Sequence, residues 1–268
     1  MARAKRHYIP GHIWHLTHRC HKKEFLLKLV KDRRRWLQWL YQARIRYGMV
    51  ILNYTVTSNH IHLLVYDEEG KNTIPQSVKL VAGRTAQEYN LRKNRKGAFW
   101  EDRYHATAVE SGEHLLKCLV YIDLNMVRAG VVSHPADWPF GGYNEIRKPR
   151  RKYVLIDYHK LAGLAGFESY QFFLETHKEM VDERLTNGDN QRRSQWTESL
   201  GVGSKSFIET IRKKMGVKAK GRKLLEDGRN FCLREDLKSY DADFDGRNED
   251  MGPQNTYYWD INLSISVG

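Results

Sequence analysis

The sequence predicts an α+β fold: an antiparallel sheet with helices packed on one face, followed by a mainly helical C-terminal extension. Three observations carry this reading. Over the first half of the chain, hydrophobic spacing alternates between period two and period 3.6, in the order strand, helix, strand, strand, helix, strand, helix. A helix pair on an antiparallel sheet of ferredoxin-like type satisfies that order. Hydrophobic residues make up 41% of the 268 residues and aromatic residues 12%, which suits a packed core and excludes a wholly disordered chain. From about Lys148, alternation gives way to helical stretches.

The elements follow in order. Residues His12 to Cys20 alternate, so His12, Trp14, Leu16, His18 and Cys20 share one face of a strand. Lys22 to Tyr47 then spaces Phe25, Leu29, Trp36, Leu37, Leu40 and Ala43 as a helix, with Gly48 as its stop. Met49–Thr57 and His60–Tyr66 read as two strands around Thr57-Ser58-Asn59. Asn72 caps a helix with an early Pro75 that runs to about Tyr89 and ends in a basic loop, Arg92 to Gly97. Phe99–Val109 reads as a further strand, and Ser111 caps a helix to about Arg128 that Gly130 closes. The chain divides into a core at 1–147, a basic helical extension at 148–235 and an acidic, mobile tail at 236–268. In the extension, Tyr158–Leu164 and Ser169–Leu185 are helical. Trp196–Met215 resembles a helix-turn-helix with Gly201-Val202-Gly203 as its turn.

Charge narrows the partners. The balance of 45 Lys+Arg against 32 Asp+Glu leaves a formal net charge of +13, which favours a polyanion, and nucleic acid is the commonest of those. No apolar run approaches the ~20 residues that span a bilayer, and no signal-peptide core follows Met1. The expectation is a cytoplasmic protein without a membrane partner. Cys20, Cys118 and Cys232 are odd in number and far apart, so they imply no disulfide framework.

Two short motifs carry chemistry. In Asn59-His60-Ile61-His62-Leu63-Leu64, strand geometry lets His60 and His62 point together at one ion. Alone, that pair is more often two half-exposed strand histidines. In Leu115 to Arg128, Tyr121 and Asn125 lie four apart, hence about 40° apart around a helix, and Lys117 and Arg128 extend the stripe. Alone, that seam is more often a core-edge tyrosine beside a solvent-facing amide. Arg33–Arg35, the loop residues Arg92, Lys93, Arg95 and Lys96, and Lys148–Lys152 fit contact with a phosphate backbone, although a lone charge run is more often a solvated face. Trp100, Tyr104, Trp138 and Tyr143 fit stacking on unpaired bases. His12, His15, His18 and His21 read as phosphate or base contacts and surface positions.

Together the motifs resemble the HUH single-tyrosine transposases of the IS200-like family, in particular the REP-associated branch. Over roughly residues 6–146, five separated stretches stand in the expected order. They are His12 to Arg19, Ser58 to Leu64, Phe99 to His105 (with Arg103 and Tyr104), Tyr121 to Gly130, and Pro135 to Phe140. The sequence departs from the family pattern at Met126 and Ser58, where proline is usual. The resemblance implies an HUH nuclease core at 1–147. It assigns Tyr121 as nucleophile and His60, His62 and Asn125 as ligands of a catalytic metal, Mg²⁺ or Mn²⁺. It further implies cleavage of single-stranded DNA near hairpin-forming repeats through a 5′-phosphotyrosine intermediate, by a monomer or a homodimer. Arg103 and Tyr104 join Lys117, Arg128 and the 92–96 cations as expected DNA contacts. A non-catalytic nucleic-acid-binding regulator on the same fold is the rival reading. A zinc-stabilised structural domain is disfavoured by the lack of a thiolate cluster.

Overall fold

A computed structural model describes residues 9–68, 72–188, 191–219, 222–227 and 230–234. The expected acidic tail at 236–268 lies outside the described residues.

Four strands build the centre: β1 (His12–Arg19), β2 (Val50–Val56), β3 (His60–Asp67) and β4 (His105–Val109). They lie in the order β2-β3-β1-β4, every pair antiparallel. In the β1–β3 ladder Thr17 opposes His62 and Leu16 opposes Leu63. This register puts His15, Thr17, His60 and His62 on one face and Trp14, Leu16, Ile61 and Leu63 on the other.

The second face carries the expected helix pair, α1 (Val30–Tyr47) and α2 (Thr73–Arg92). Trp36 and Leu40 of α1 meet Val78 and Val81 of α2 over Leu16, Ile61 and Leu63. Trp36 and Leu40 are buried, and each such side chain contributes roughly 1.5–3 kcal/mol. Gly48 ends α1 with φ +69°, a left-handed conformation that glycine adopts without steric cost.

Helices are not confined to that face. The segment α3 (Glu113–Asp123) packs on the histidine face, tied to β2 by Thr55 Oγ1 donating to the Ile122 carbonyl at 3.3 Å. A single residue, Leu124 (φ −77°, ψ 5°), separates α3 from the short α4 (Asn125–Arg128), so the expected unbroken helix is two pieces. Other local differences are small. The strand expected over Phe99–Val109 starts only at His105, and Trp100 makes an isolated bridge to Cys20. Gly112, not Ser111, precedes α3, and Asn72 precedes α2 in a left-handed conformation without a capping side-chain bond.

Beyond α5 (Tyr143–Arg147), α6 (Tyr158–Leu164) and α7 (Tyr170–Thr186) confirm the helical reading of that stretch. The remainder departs from a mainly helical extension. After the one-turn α8 (Gln195–Glu198), β5 (Ser199–Gly203) joins β4 in parallel. After α9 (Lys205–Met215), β6 (Lys223–Asp227) and β7 (Asn230–Arg234) complete a seven-stranded sheet, β2-β3-β1-β4-β5-β7-β6. The expected helix-turn-helix is therefore a helix turn, a strand and a helix. Its glycines serve packing: a Cβ on Gly203 would lie 2.5 Å from Phe207 Cδ1, and one on Gly201 3.2 Å from Ile208 Cδ1.

Candidate active site

The histidine face of the sheet, α3, α4 and α8 enclose one cluster. β3 supplies His60 and His62, whose rings lie 5.0 Å apart at 83°. From α3 the Tyr121 ring stands edge-on to His62 at 6.0 Å. From α4, the Asn125 amide nitrogen is 3.0 Å from His62 Nε2. The break at Leu124 leaves Tyr121 and Asn125 on the same side, so the seam read from the sequence reaches the histidine pair within one chain.

Each histidine is held from behind. His60 Nδ1 lies 2.7 Å from Asn59 Oδ1 and 3.0 Å from Thr57 Oγ1. His62 Nδ1 meets His15 Nε2 at 2.9 Å, and His15 Nδ1 meets the Trp196 carbonyl, also at 2.9 Å. All three imidazoles are buried. Desolvation lowers their basicity: His15 and His60 each fall to about 3 and His62 lies well below its ordinary value. They are neutral at pH 7, the form that ligates metals.

Tyr121 is buried as well, and that burial raises its phenol above the usual range, opposing ionisation. Arg128 counters it. Its guanidinium lies 4.1 Å above the Tyr121 ring, and Nη2 donates to the Tyr121 carbonyl at 2.7 Å. Trp196 packs on the ring at 6.2 Å. A cleft lined by Arg19, His60, Arg103, His105, Arg192 and Thr197 opens beside His60. Arg19 is paired with Glu101 at 2.6 Å and Arg192 with Glu198 at 3.0 Å.

Among the described residues no group of three or more His, Cys, Asp or Glu stands ready to hold a metal. The set read from the sequence has only two such residues, and its third member is an amide. Its chemistry fits a hard or borderline divalent cation. Two neutral imidazoles offer nitrogen lone pairs, and the Asn125 amide carries an oxygen at the same tip as the nitrogen that faces His62.

The expected DNA contacts divide. Arg128 and Arg103 border the cluster. Lys117 instead pairs with Glu113 at 2.7 Å, one turn before Tyr121. Arg92 pairs with the buried carboxylate of Asp32, and Arg95 donates to the Ala98 carbonyl at 2.9 Å, which folds the basic loop on itself; Lys93 and Lys96 remain exposed. Tyr104 is half-buried against His18, 6.2 Å between rings.

Several stacking candidates are structural. Trp100 lies flat on His18 at 4.1 Å with its indole N–H bonded to the Ala82 carbonyl at 3.0 Å. Trp138 and Tyr143 are buried, the former over Arg33, which is itself buried rather than surface-exposed. These large rings fill the core because α1, β2 and the 134–147 segment need apolar volume there. His15 and His18 are likewise interior, not surface, positions. The contributions of His15 and Trp196 escaped the sequence reading. The signal for His15 is the odd-numbered face of β1, which points at His62 once the β1–β3 register is known.

Residues 9–125 match the family model described as Transposase IS200 like. That span runs from just before β1 to Asn125, and so takes in His60, His62, Tyr121 and Asn125. Among solved structures, the chain is similar to a REP-associated tyrosine transposase bound to a REP hairpin, at 18% identity and a TM-score of 0.46, covering 59% of this chain and 94% of that one. It is also similar to a protein described as a transposase from Deinococcus radiodurans R1, at 17% identity and a TM-score of 0.31, covering 44% of this chain and 92% of that one. No curated protein matches. No helix among the described residues is long and apolar enough to cross a membrane.

Proposed function

We propose, on the premise that residues 9–125 are an IS200-like transposase segment, that this protein is a cytoplasmic, metal-dependent single-strand DNA endonuclease and strand transferase. Its substrate is single-stranded DNA beside a hairpin-forming repeat, and Tyr121 is its nucleophile. The observation that carries this reading is the convergence of Tyr121, His60, His62 and Asn125 on one face of one sheet. Binding alone requires none of that geometry. One chain supplies all four groups.

In the reaction Tyr121 Oη bonds to the scissile phosphorus and the bond from phosphorus to the 3′ oxygen breaks. The phenol proton leaves Oη and the 3′ oxygen gains one, giving a 5′-phosphotyrosine and a free 3′-hydroxyl. A later 3′-hydroxyl reverses the exchange and rejoins strands without a nucleotide cofactor. His60, His62 and Asn125 would hold Mg²⁺ or Mn²⁺, which supplies charge to polarise the phosphate. Arg128 stacks on the attacking ring and stabilises negative charge as the phenol ionises. Trp196 and the sheet exclude water from the far side of Tyr121.

The test is a denaturing gel of the protein with labelled hairpin DNA bearing single-stranded flanks, in Mn²⁺. The expected result is a protein–oligonucleotide band that Tyr121→Phe abolishes while hairpin binding persists. Nicking by Tyr121→Phe at the wild-type rate would overturn the assignment. Tight binding with no nick and no adduct would return the protein to the regulator class.

A further inference from the structure

We infer that His15 is a positioning residue: it fixes which nitrogen of His62 carries the proton, so that the bare nitrogen, Nε2, faces Asn125. The inference rests on the reading of His62 as a metal ligand and deepens it. A carbonyl can only accept, so the 2.9 Å contact between His15 Nδ1 and the Trp196 carbonyl requires a proton on Nδ1. A neutral imidazole carries one N–H, so His15 Nε2 offers a lone pair. That lone pair lies 2.9 Å from His62 Nδ1, which must therefore donate. His62 then has no proton left for Nε2.

The far end fits the same arrangement: the Asn125 amide nitrogen lies 3.0 Å from His62 Nε2, and a bare Nε2 accepts from it. The rings are stacked at 5.0 Å and 14° and almost completely enclosed, His15 at 0% and His62 at 1% exposure, so neither can turn over to reverse the chain of bonds. The placement follows from register. Thr17 opposes His62, and His15 sits two residues before Thr17 on the same face, the diagonal position within reach of a long side chain.

The anchor is notable for its origin. Trp196 belongs to α8, beyond the 9–125 match, and α8 sits at the entry to β5. His105 Nε2 and Thr107 Oγ1 both donate to the Ser199 carbonyl, at 2.9 and 2.6 Å, and so clamp that entry against β4. The extension thus sets the proton of a histidine on the central sheet through a single buried ring. A histidine without such a partner distributes its proton over both nitrogens, and part of the population would present N–H to a cation.

The experiment uses full-length protein with ¹⁵N-labelled histidine and no metal, followed by Mn²⁺ titration read by the electron paramagnetic resonance of free Mn²⁺. In the wild type, the His62 ring shifts should report protonated Nδ1 and bare Nε2. His15→Phe keeps the ring volume and removes the acceptor. It should redistribute the His62 proton and weaken Mn²⁺ binding about tenfold to a hundredfold. His15→Gln restores an acceptor near the position of Nε2 and should bring both readouts back toward wild type, which a merely space-filling role would not require. A proton on His62 Nε2 in the wild type overturns the inference. So does an unchanged His62 pattern and Mn²⁺ affinity in His15→Phe. Wild-type protein with the expected shifts but no Mn²⁺ binding would sink the metal reading and leave the proton placement on His62 standing, so the two failures are distinct.

Discussion

Replacing Asp123 by alanine should be among the most damaging changes outside the reacting groups. Asp123 ends α3, two residues after Tyr121, with its side chain fully buried. One carboxylate oxygen accepts from Asn53 Nδ2 of β2 at 2.9 Å and the other accepts from His177 Nε2 of α7 at 2.8 Å. The carboxylate therefore staples the nucleophile helix to the sheet on one side and to the extension on the other. Truncation leaves two donors in a dry interior and removes the group that paired with them. Each orphaned donor costs about 1–3 kcal/mol, and breaking a buried pair of this kind costs about 3–5 kcal/mol in all. At about 2–4 °C per kcal/mol for a chain of this size, the melting temperature should fall by about 10 °C or more. Urea denaturation followed by tryptophan fluorescence measures the loss, with the slope checked for an unchanged transition. Asp123→Asn keeps one acceptor for His177 but points an N–H at Asn53, and should fall between the two. A loss below about 1 kcal/mol in Asp123→Ala would refute the claim that this carboxylate holds α3 in place.

A Cβ on Gly142 would lie 2.1 Å from Asn53 Oδ1 and 3.2 Å from the Tyr54 amide nitrogen, so Gly142→Ala should cost about 1–3 kcal/mol, read from the urea midpoint; an unchanged midpoint would contradict it. Metal-free protein should lose stability as pH falls from 6.5 toward about 3. In that window the unfolded chain protonates His15, His60 and His62 while the fold keeps them neutral. Each contributes up to about 1.4 kcal/mol per pH unit, and equal urea midpoints at pH 7 and pH 5 would contradict the assignment.

The central sheet was legible because its strands alternate cleanly and because single residues punctuate its helices. Gly48 and Gly130 both stop helices with positive φ, and the β2–β3 hairpin turns at the expected Ser58-Asn59. The Tyr121–Asn125 seam was legible because four-residue spacing survives one non-helical residue. What stayed hidden depends on pairing between distant segments. Gly201-Val202-Gly203 looks like a turn because two of its three residues are glycine; it belongs to a strand because β4 and β7 hydrogen-bond to it on either side. Likewise His15 is interior only because its diagonal neighbour across the ladder is His62, a fact no local pattern encodes. The basic run at Arg33–Arg35 suggests phosphate contact or a solvated face, yet Arg33 lies over the rings of Trp138 and Phe140, at 4.8 and 4.5 Å.

The parallel seam between β4 and β5 has a consequence for how this protein can be shortened. A chain terminated near residue 147 would leave the outer side of β4 without its neighbour and strip Trp196 from Tyr121 and His15. Such a fragment would carry a raw hydrogen-bonding margin, the usual starting point for self-association. A fragment trimmed to residues 1–147 should therefore aggregate, because the outer side of β4 needs β5 as its neighbour.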